Sequence, residues 1–213
     1  MSKSLRVLLA DDHGILRGGL KEILLRELPE VICGEAENSQ QVLAEVQQQQ
    51  WDLVILDISM PGRSGLDIIE ELQLLRPGLP ILVLSVHPED QYGKRAFRSG
   101  AAGYLKKESA PQELINAIRR ILTGGRYVSP VLAERLARDL GDGAERPVHE
   151  ILSGREFEIL IMIGSGKTVS QIAEELHLSV TTVSTYRARM LEKLDLTTTA
   201  ELMRFAFRSR LVD

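Results

Sequence analysis

Several apolar runs in this sequence end on side chains that can do chemistry. RVLLADD (6–12) ends on Asp11 and Asp12, DLVILD (52–57) on Asp57, ILVLS (81–85) on Ser85, and GYLKK (103–107) on Lys107. A carboxylate closing a hydrophobic run is costly to bury unless it meets a cation or a metal. Brought together, three carboxylates, a hydroxyl and an ammonium suit phosphoryl chemistry. Mg²⁺ takes oxygen ligands, which Asp11 and Asp12 supply. A carboxylate can attack phosphorus and carry an acyl phosphate, a role for Asp57. The metal and Lys107 would screen the incoming phosphate charge, and Ser85 would donate to a phosphoryl oxygen. Singly, each residue has a plainer reading: Asp12 as a helix cap, Ser85 as a turn residue, the Lys106-Lys107 pair as solvated charge. Their joint placement at strand ends is what points to a site.

That placement requires particular elements. Strands are expected at 6–10, 31–36, 52–57, 81–85 and 103–106, with helices near 14–28, 38–49, 65–76, 89–99 and 110–123. Continuously apolar strands separated by helices predict a doubly wound, five-stranded parallel sheet covered on both faces, an α/β domain. In such a sheet, ligands bind outside the carboxyl ends of the strands, near the switch in strand order.

The chain of 213 residues is long enough for two domains. Gly124-Gly125 stops the fifth helix, residues 129–140 could form another, and GDGAERP (141–147) reads as a polar linker. From Leu152 onward the pattern is purely helical. The net charge is −4 and neither half is basic, so any DNA contact must come from a local patch. The only cysteine, Cys33, excludes an internal disulfide and is expected in a strand core. MSKSLRVLLADD reads as a strand rather than a signal peptide, and no apolar run approaches the ~20 residues of a membrane span. Trp51 is read as domain packing, and His177 as a turn residue.

The stretches LLADDHGILRGGL, LVILDISMPGRSGL, ILVLS and SGAAGYLKK resemble the receiver domain of bacterial two-component response regulators, a flavodoxin-like fold, over about residues 4–123. The resemblance implies Asp57 as phosphoacceptor, with Asp11, Asp12, Asp57 and the Ser59 backbone carbonyl holding Mg²⁺. It also implies Ser85 as switch hydroxyl, Tyr104 as an aromatic that swings inward, and Lys107 rather than Lys106 as the phosphate-contacting lysine.

In the helical half, GSGKT (164–168) looks like the end of a phosphate-binding loop. The first glycine of that motif would fall on Ile161, and the stretch follows a helix rather than a strand, so a glycine helix stop explains it better. Ser179 reads as the N-cap of VTTVSTYRARMLEKL. At helical spacing Val183, Met190 and Leu194 share one face, with Arg187 and Leu191 beside it; Ser184, Thr185, Ala188, Arg189 and Glu192 point the other way. A short, polar, then cationic face suits entry into the major groove, and the preceding VSQIAEELHLS completes a helix-turn-helix. A plain helical bundle with solvated charges is the alternative from periodicity alone.

LSGREFEILIMIGSGKTVSQIAEELHLSVTTVSTYRARMLEKLDLTTTAELMRFA resembles the LuxR-type DNA-binding domain of the NarL/FixJ regulators. This likeness implies a small all-α domain over 149–213, joined to the receiver by a linker at 124–148. It implies that Ser184, Thr185 and Ala188 face bases, and that Thr182, Arg187, Arg189 and Lys193 lie toward the backbone. Dimerisation is implied through an apolar seam of Leu202, Phe205 and Ala206. The expected protein is a phosphorylation-controlled, double-stranded-DNA-binding transcription factor acting as a homodimer in the bacterial cytoplasm. Its donor is a sensor histidine kinase, RNA polymerase is a further candidate partner, and no membrane is involved. It is expected not to be an enzyme beyond catalysing its own phosphorylation and dephosphorylation. A phosphatase using Asp57 is the first rival, opposed by Ser59 where a second acid would stand. A protein-binding helical module is the second, and salt-dependent DNA affinity discriminates it.

Overall fold

The computed structural model describes residues 4–60, 63–141 and 148–212. The apolar runs are strands: β1 (Arg6–Ala10), β2 (Ile32–Ala36), β3 (Leu53–Asp57), β4 (Ile81–Ser85) and β5 (Gly103–Lys106). They pair in the order β2-β1-β3-β4-β5, every neighbour parallel. Parallel neighbours need crossover connections, and the helices supply them, which leaves both sheet faces covered. The connecting helices are α1 (Gly14–Glu27), α2 (Ser39–Gln48), α3 (Gly65–Leu75), α4 (Glu89–Arg98) and α5 (Ala110–Leu122). Val7, Leu9, Leu53, Ile55, Leu82 and Leu84 form one core with Leu20 and Leu24 of α1 and Leu114 and Ile118 of α5. The alternate residues Leu8, Val54, Leu56 and Val83 are equally buried on the opposite face. Cys33 lies in β2 as expected but is half-buried, because β2 is an edge strand.

The chain divides into two compact units, Met1–Arg138 and Asp139–Asp213. Residues 124–132, read from the sequence as the start of a linker, belong to the first. The Tyr127 N–H donates to the Ala102 carbonyl and the Tyr104 N–H donates to the Tyr127 carbonyl, both at 3.0 Å, adding a short parallel bridge at the edge of β5. Leu132, at the start of α6 (Pro130–Gly141), is buried over Gly93, where a Cβ would come within 2.5 Å of Leu132 Cδ2. Most of the expected linker GDGAERP, residues 142–147, lies outside the described residues.

The second unit holds α7 (Gly154–Gly164), α8 (Val169–Glu175), α9 (Val180–Lys193) and α10 (Thr199–Arg208). Three of these starts carry reciprocal caps, Ser153 with Glu156, Thr168 with Gln171 and Thr198 with Glu201. Ser179 caps α9 by accepting the Thr182 N–H at 3.0 Å. GSGKT is a helix stop followed by a cap. Gly166 takes φ +85°, its N–H and that of Lys167 return to α7 carbonyls, and Thr168 opens α8. His177 likewise turns the chain between α8 and α9 at φ 52°.

Candidate functional site

Register decides which carboxylates meet. Ala10 pairs with Leu56, so Asp11 and Asp57, the next residues on adjacent parallel strands, leave the sheet side by side. Ser85 pairs with Lys106, which carries Ser85 and Lys107 to the same edge. Lys107 Nζ lies 2.7 Å from Asp11 Oδ2 and 2.7 Å from Asp57 Oδ2, with the lysine side chain 8% exposed and the Asp57 side chain 2%. Lys106 is exposed, so the structure brings Lys107 and not its neighbour to the carboxylates.

Two buried carboxylates share one ammonium, and the electrostatics reflect the shortage. Burial pushes the Asp57 carboxyl above its ordinary range; Lys107 offsets part of this and Asp11 adds to it. Burial works downward on the Lys107 ammonium, but Asp57 and Asp11 outweigh it and the net direction is up. Asp12 stands at the mouth with Oδ1 2.8 Å from His13 Nδ1. One ligand atom from each of Asp11, Asp12, His13 and Asp57 lies within 4.8 Å of the others. An oxygen-rich cluster short of positive charge fits a hard divalent cation such as Mg²⁺.

The loops after β3 and β4 complete the site. The Ser59 N–H donates to Asp57 Oδ1 at 3.1 Å, and Ser59 Oγ lies 2.8 Å from His87 Nε2. α3 presses on this turn. The Gly65 N–H donates to the Ile58 carbonyl at 2.8 Å, and a Cβ at Gly65 would stand 2.5 Å from the Asp57 carbonyl oxygen, so the approach requires glycine. Pro61 and Gly62 of the turn lie outside the described residues. Ser85 is fully buried and its Oγ accepts the His87 N–H at 3.0 Å. Tyr104, expected to swing inward, already lies inside: it is 1% exposed and its hydroxyl donates to the His87 carbonyl at 3.0 Å. Burial pushes its phenol well up.

Three residues at this edge escaped the sequence reading. His13 follows the acidic pair directly, and its position in the sequence was the available signal. His87, two residues past Ser85, ties the β4 loop to Ser59 and stacks on Tyr92 with ring centroids 4.4 Å apart. Arg17 sits one helical turn beyond His13 and is buried, which no amphipathic pattern announces for an arginine.

The second candidate surface is the outer face of α9. Val183, Met190 and Leu194 are buried, while Thr185, Ala188, Arg189 and Glu192 are exposed and Thr182 and Ser184 half-exposed, as the periodicity requires. The Thr185 hydroxyl donates back to the Thr181 carbonyl at 2.9 Å. Two expected backbone contacts sit differently. Lys193 Nζ lies 2.6 Å from Glu156 Oε2, the carboxylate that caps α7. Burial raises the Glu156 carboxyl, but Lys193 and Ser153 outweigh it and hold it low. Arg187 is half-buried, with Nη1 reaching Thr199 Oγ1 at 3.5 Å.

The seam expected from Leu202, Phe205 and Ala206 needs correction. Leu202 and Ala206 are fully buried, and a Cβ at Gly164 of α7 would meet the Ala206 Cβ at 2.7 Å. Positions four apart on one helix share a face, and here that face is the domain core. Phe205 remains partly exposed, with Met203 and Phe207 more so.

Comparison with known proteins adds the following. Residues 7–119 match the response regulator receiver domain, and residues 150–206 match the luxR family of bacterial regulatory proteins. The response regulator UvrY of Escherichia coli K12 is 36% identical over 96% of this chain and 94% of its own. The response regulator GacA of Pseudomonas aeruginosa is 34% identical over 98% of both chains. A structure of RcsB from Salmonella enterica serovar Typhimurium, bound to a promoter in the presence of the phosphomimetic BeF₃⁻, is 26% identical. It aligns with a TM-score of 0.59 over 95% of this chain and 98% of that one. Among the described residues no helix is long and apolar enough to cross a membrane.

Proposed function

The chain belongs to the two-component response regulators that join a receiver domain to a LuxR-type DNA-binding domain, and on that premise we propose that Asp57 is its phosphoacceptor. The observation that carries this reading is the buried ammonium of Lys107, 2.7 Å from both Asp57 and Asp11. An Asp57 carboxylate oxygen attacks the phosphorus of a phosphohistidine on a sensor histidine kinase. The N–P bond breaks, the bond electrons stay on the imidazole, and Asp57 carries an acyl phosphate. Asp11, Asp12, Asp57 and the Ser59 carbonyl are the residues to hold Mg²⁺, which when bound supplies positive charge against the phosphoryl oxygens. Lys107 keeps Asp11 and turns its other hydrogen bond from Asp57 to a phosphoryl oxygen. Ser85 donates its hydroxyl to another, and Tyr104 senses that change through the His87 carbonyl between them. The test is intact mass after incubation with acetyl phosphate and Mg²⁺. Wild-type protein should gain one phosphoryl group and Asp57→Asn none; equal uptake by both proteins overturns the assignment. Asp11→Asn and Asp12→Asn should raise the Mg²⁺ concentration needed.

The same reading assigns the outer face of α9 to the DNA major groove, with Ser184, Thr185 and Ala188 toward bases and Thr182 and Arg189 toward phosphates. One copy has a short readout helix and little positive charge. Two copies on a two-fold site gain through effective concentration, so phosphorylation should raise the fraction of DNA-bound dimers. Met203 and Phe207, four apart on one exposed flank of α10, are the apolar side chains available for that pairing. Operator affinity and oligomeric state of the full-length protein, before and after phosphorylation at matched salt, decide this; no change in either abandons the coupling.

A further inference from the structure

We propose that Arg17 is the positioning residue of the acidic pair, holding the Asp11–Asp12 peptide plane so that both carboxylates present to a divalent cation. The inference rests on the reading of Asp11 and Asp12 as metal ligands and goes beyond it to what aims them.

Arg17 is 8% exposed. Its guanidinium makes three hydrogen bonds in three directions. Nη1 donates to the Asp11 carbonyl oxygen at 2.6 Å, Nε to Glu35 Oε2 at 2.8 Å, and Nη2 to Glu37 Oε1 at 2.7 Å. The Asp11 carbonyl belongs to the peptide unit that joins Asp11 to Asp12. That unit is planar and rigid, so the Asp11 and Asp12 Cα atoms move together with it, and anchoring its oxygen restricts how the acidic pair can turn. The preceding peptide plane, Ala10–Asp11, is held too, since the Asp11 N–H donates to the Ala36 carbonyl at 3.1 Å, so the Asp11 Cα lies between two anchored planes. Glu35 ends the exposed register of β2 beside Leu9, and Glu37 lies just past the strand. Through Arg17 the end of β1 is therefore clamped to the end of β2, on the side of Asp11 away from Lys107 and Asp57.

An arginine suits this task and a lysine does not. The planar fork presents donors at fixed angles to three acceptors at once, whereas an ammonium is a point charge on a flexible stem. Groups that orient metal ligands without touching the metal commonly govern affinity by about 10–100-fold. Removing Arg17 should leave a folded protein. Glu35 keeps Lys21, whose Nζ lies 2.6 Å from Glu35 Oε1, and Glu37 is 61% exposed and can be solvated. The lost interaction is then chiefly the one to the Asp11 carbonyl.

The experiment measures Mn²⁺ affinity of the full chain by the electron paramagnetic resonance signal of free Mn²⁺, alongside the melting temperature without metal. Four variants are compared with wild type: Arg17→Met, Arg17→Lys, Leu24→Ala and Asp12→Asn. Leu24 is fully buried on the same helix and has no place in the site, so its truncation reports what destabilising α1 does by itself. Arg17→Met and Arg17→Lys should both weaken Mn²⁺ binding about 10–100-fold. Leu24→Ala should lower the melting temperature and leave Mn²⁺ affinity unchanged well below it. Wild-type affinity in Arg17→Met overturns the proposal, as does full rescue by Arg17→Lys or equal loss in Leu24→Ala. Wild-type affinity in Asp12→Asn would instead overturn the metal-site reading beneath it, which keeps the two failures apart.

Discussion

The edge of the sheet and the outer face of α9 are built on opposite plans. At the sheet edge, Asp11 and Asp12 follow β1, Asp57 ends β3, Ser85 ends β4 and Lys107 follows β5, and most of these side chains are out of water. On α9 the candidate contacts come from one helix and face solvent. In the first region each charge depends on a partner brought from elsewhere in the chain, so losing one group strands another in low dielectric. In the second, Thr182, Ser184, Thr185, Ala188 and Arg189 reach solvent, so losing one of them strands no buried charge.

Lys107→Met tests that contrast most severely. It leaves Asp11 and Asp57 buried beside each other without their shared cation. In EDTA, urea unfolding should show a loss of about 3–5 kcal/mol, the range for breaking a buried pair. Added Mg²⁺ should recover part of it. A loss under about 1 kcal/mol, typical of exposed pairs, would mean the sheet edge behaves like surface.

Ser184→Ala and Thr185→Ala should leave phosphorylation and folding intact and change base preference by about 1–3 kcal/mol per contact. Selection of bound DNA from a random pool reads this directly, and an unchanged preferred sequence would remove the α9 face from base readout.

Arg189 and Lys193 sharpen the comparison within one helix. Arg189→Ala should weaken all DNA sequences alike and reduce the salt slope by about one. Lys193→Ala should lower the stability of the second unit by about 1 kcal/mol or less, since its pair with Glu156 is partly exposed and screened. If Lys193→Ala lowers DNA affinity while thermal stability holds, that lysine reaches phosphate and the Glu156 pair is incidental.

The smallest effect concerns Glu201, whose carboxyl is lowered to about 2, chiefly by the Thr197 N–H, with the Thr197 hydroxyl and Thr198 N–H adding to it. A carboxylate with a depressed folded pKa contributes stability above its unfolded value and loses it as pH falls through the folded one. The second unit should therefore soften between about pH 5 and pH 2. Glu201→Gln should flatten that part of an acid titration followed by circular dichroism; an unaltered curve would show that the cap carries no linkage.

How much of this was legible beforehand depended on where each signal lives. Strands and helices are written in runs and periods of neighbouring residues, so all five strands and the helices between them fall within a residue or two of expectation. Cys33 packs against the core from β2 as expected but is only half-buried, because an apolar run does not say whether its strand is central or at an edge. Leu202 and Ala206 failed for a related reason. An apolar stripe on a short helix reads alike whether it meets its own domain or a second copy.

By itself the sequence determined the doubly wound sheet, the helix-turn-helix, the polar residues at the strand ends and the exposed side of α9, because each follows from local spacing along one element. Only the tertiary structure decided which groups meet. The pairing of Ala10 with Leu56 sets Asp11 beside Asp57, the far end of the chain fold brings Lys107 between them, and Arg17 reaches back to the Asp11 carbonyl. It also tied Lys193 to Glu156, 37 residues away, and drew Tyr104 under the His87 carbonyl. Hydrogen bonds and ion pairs act over a few ångströms of space, and separation along the chain says nothing about which long, flexible side chains will close that distance.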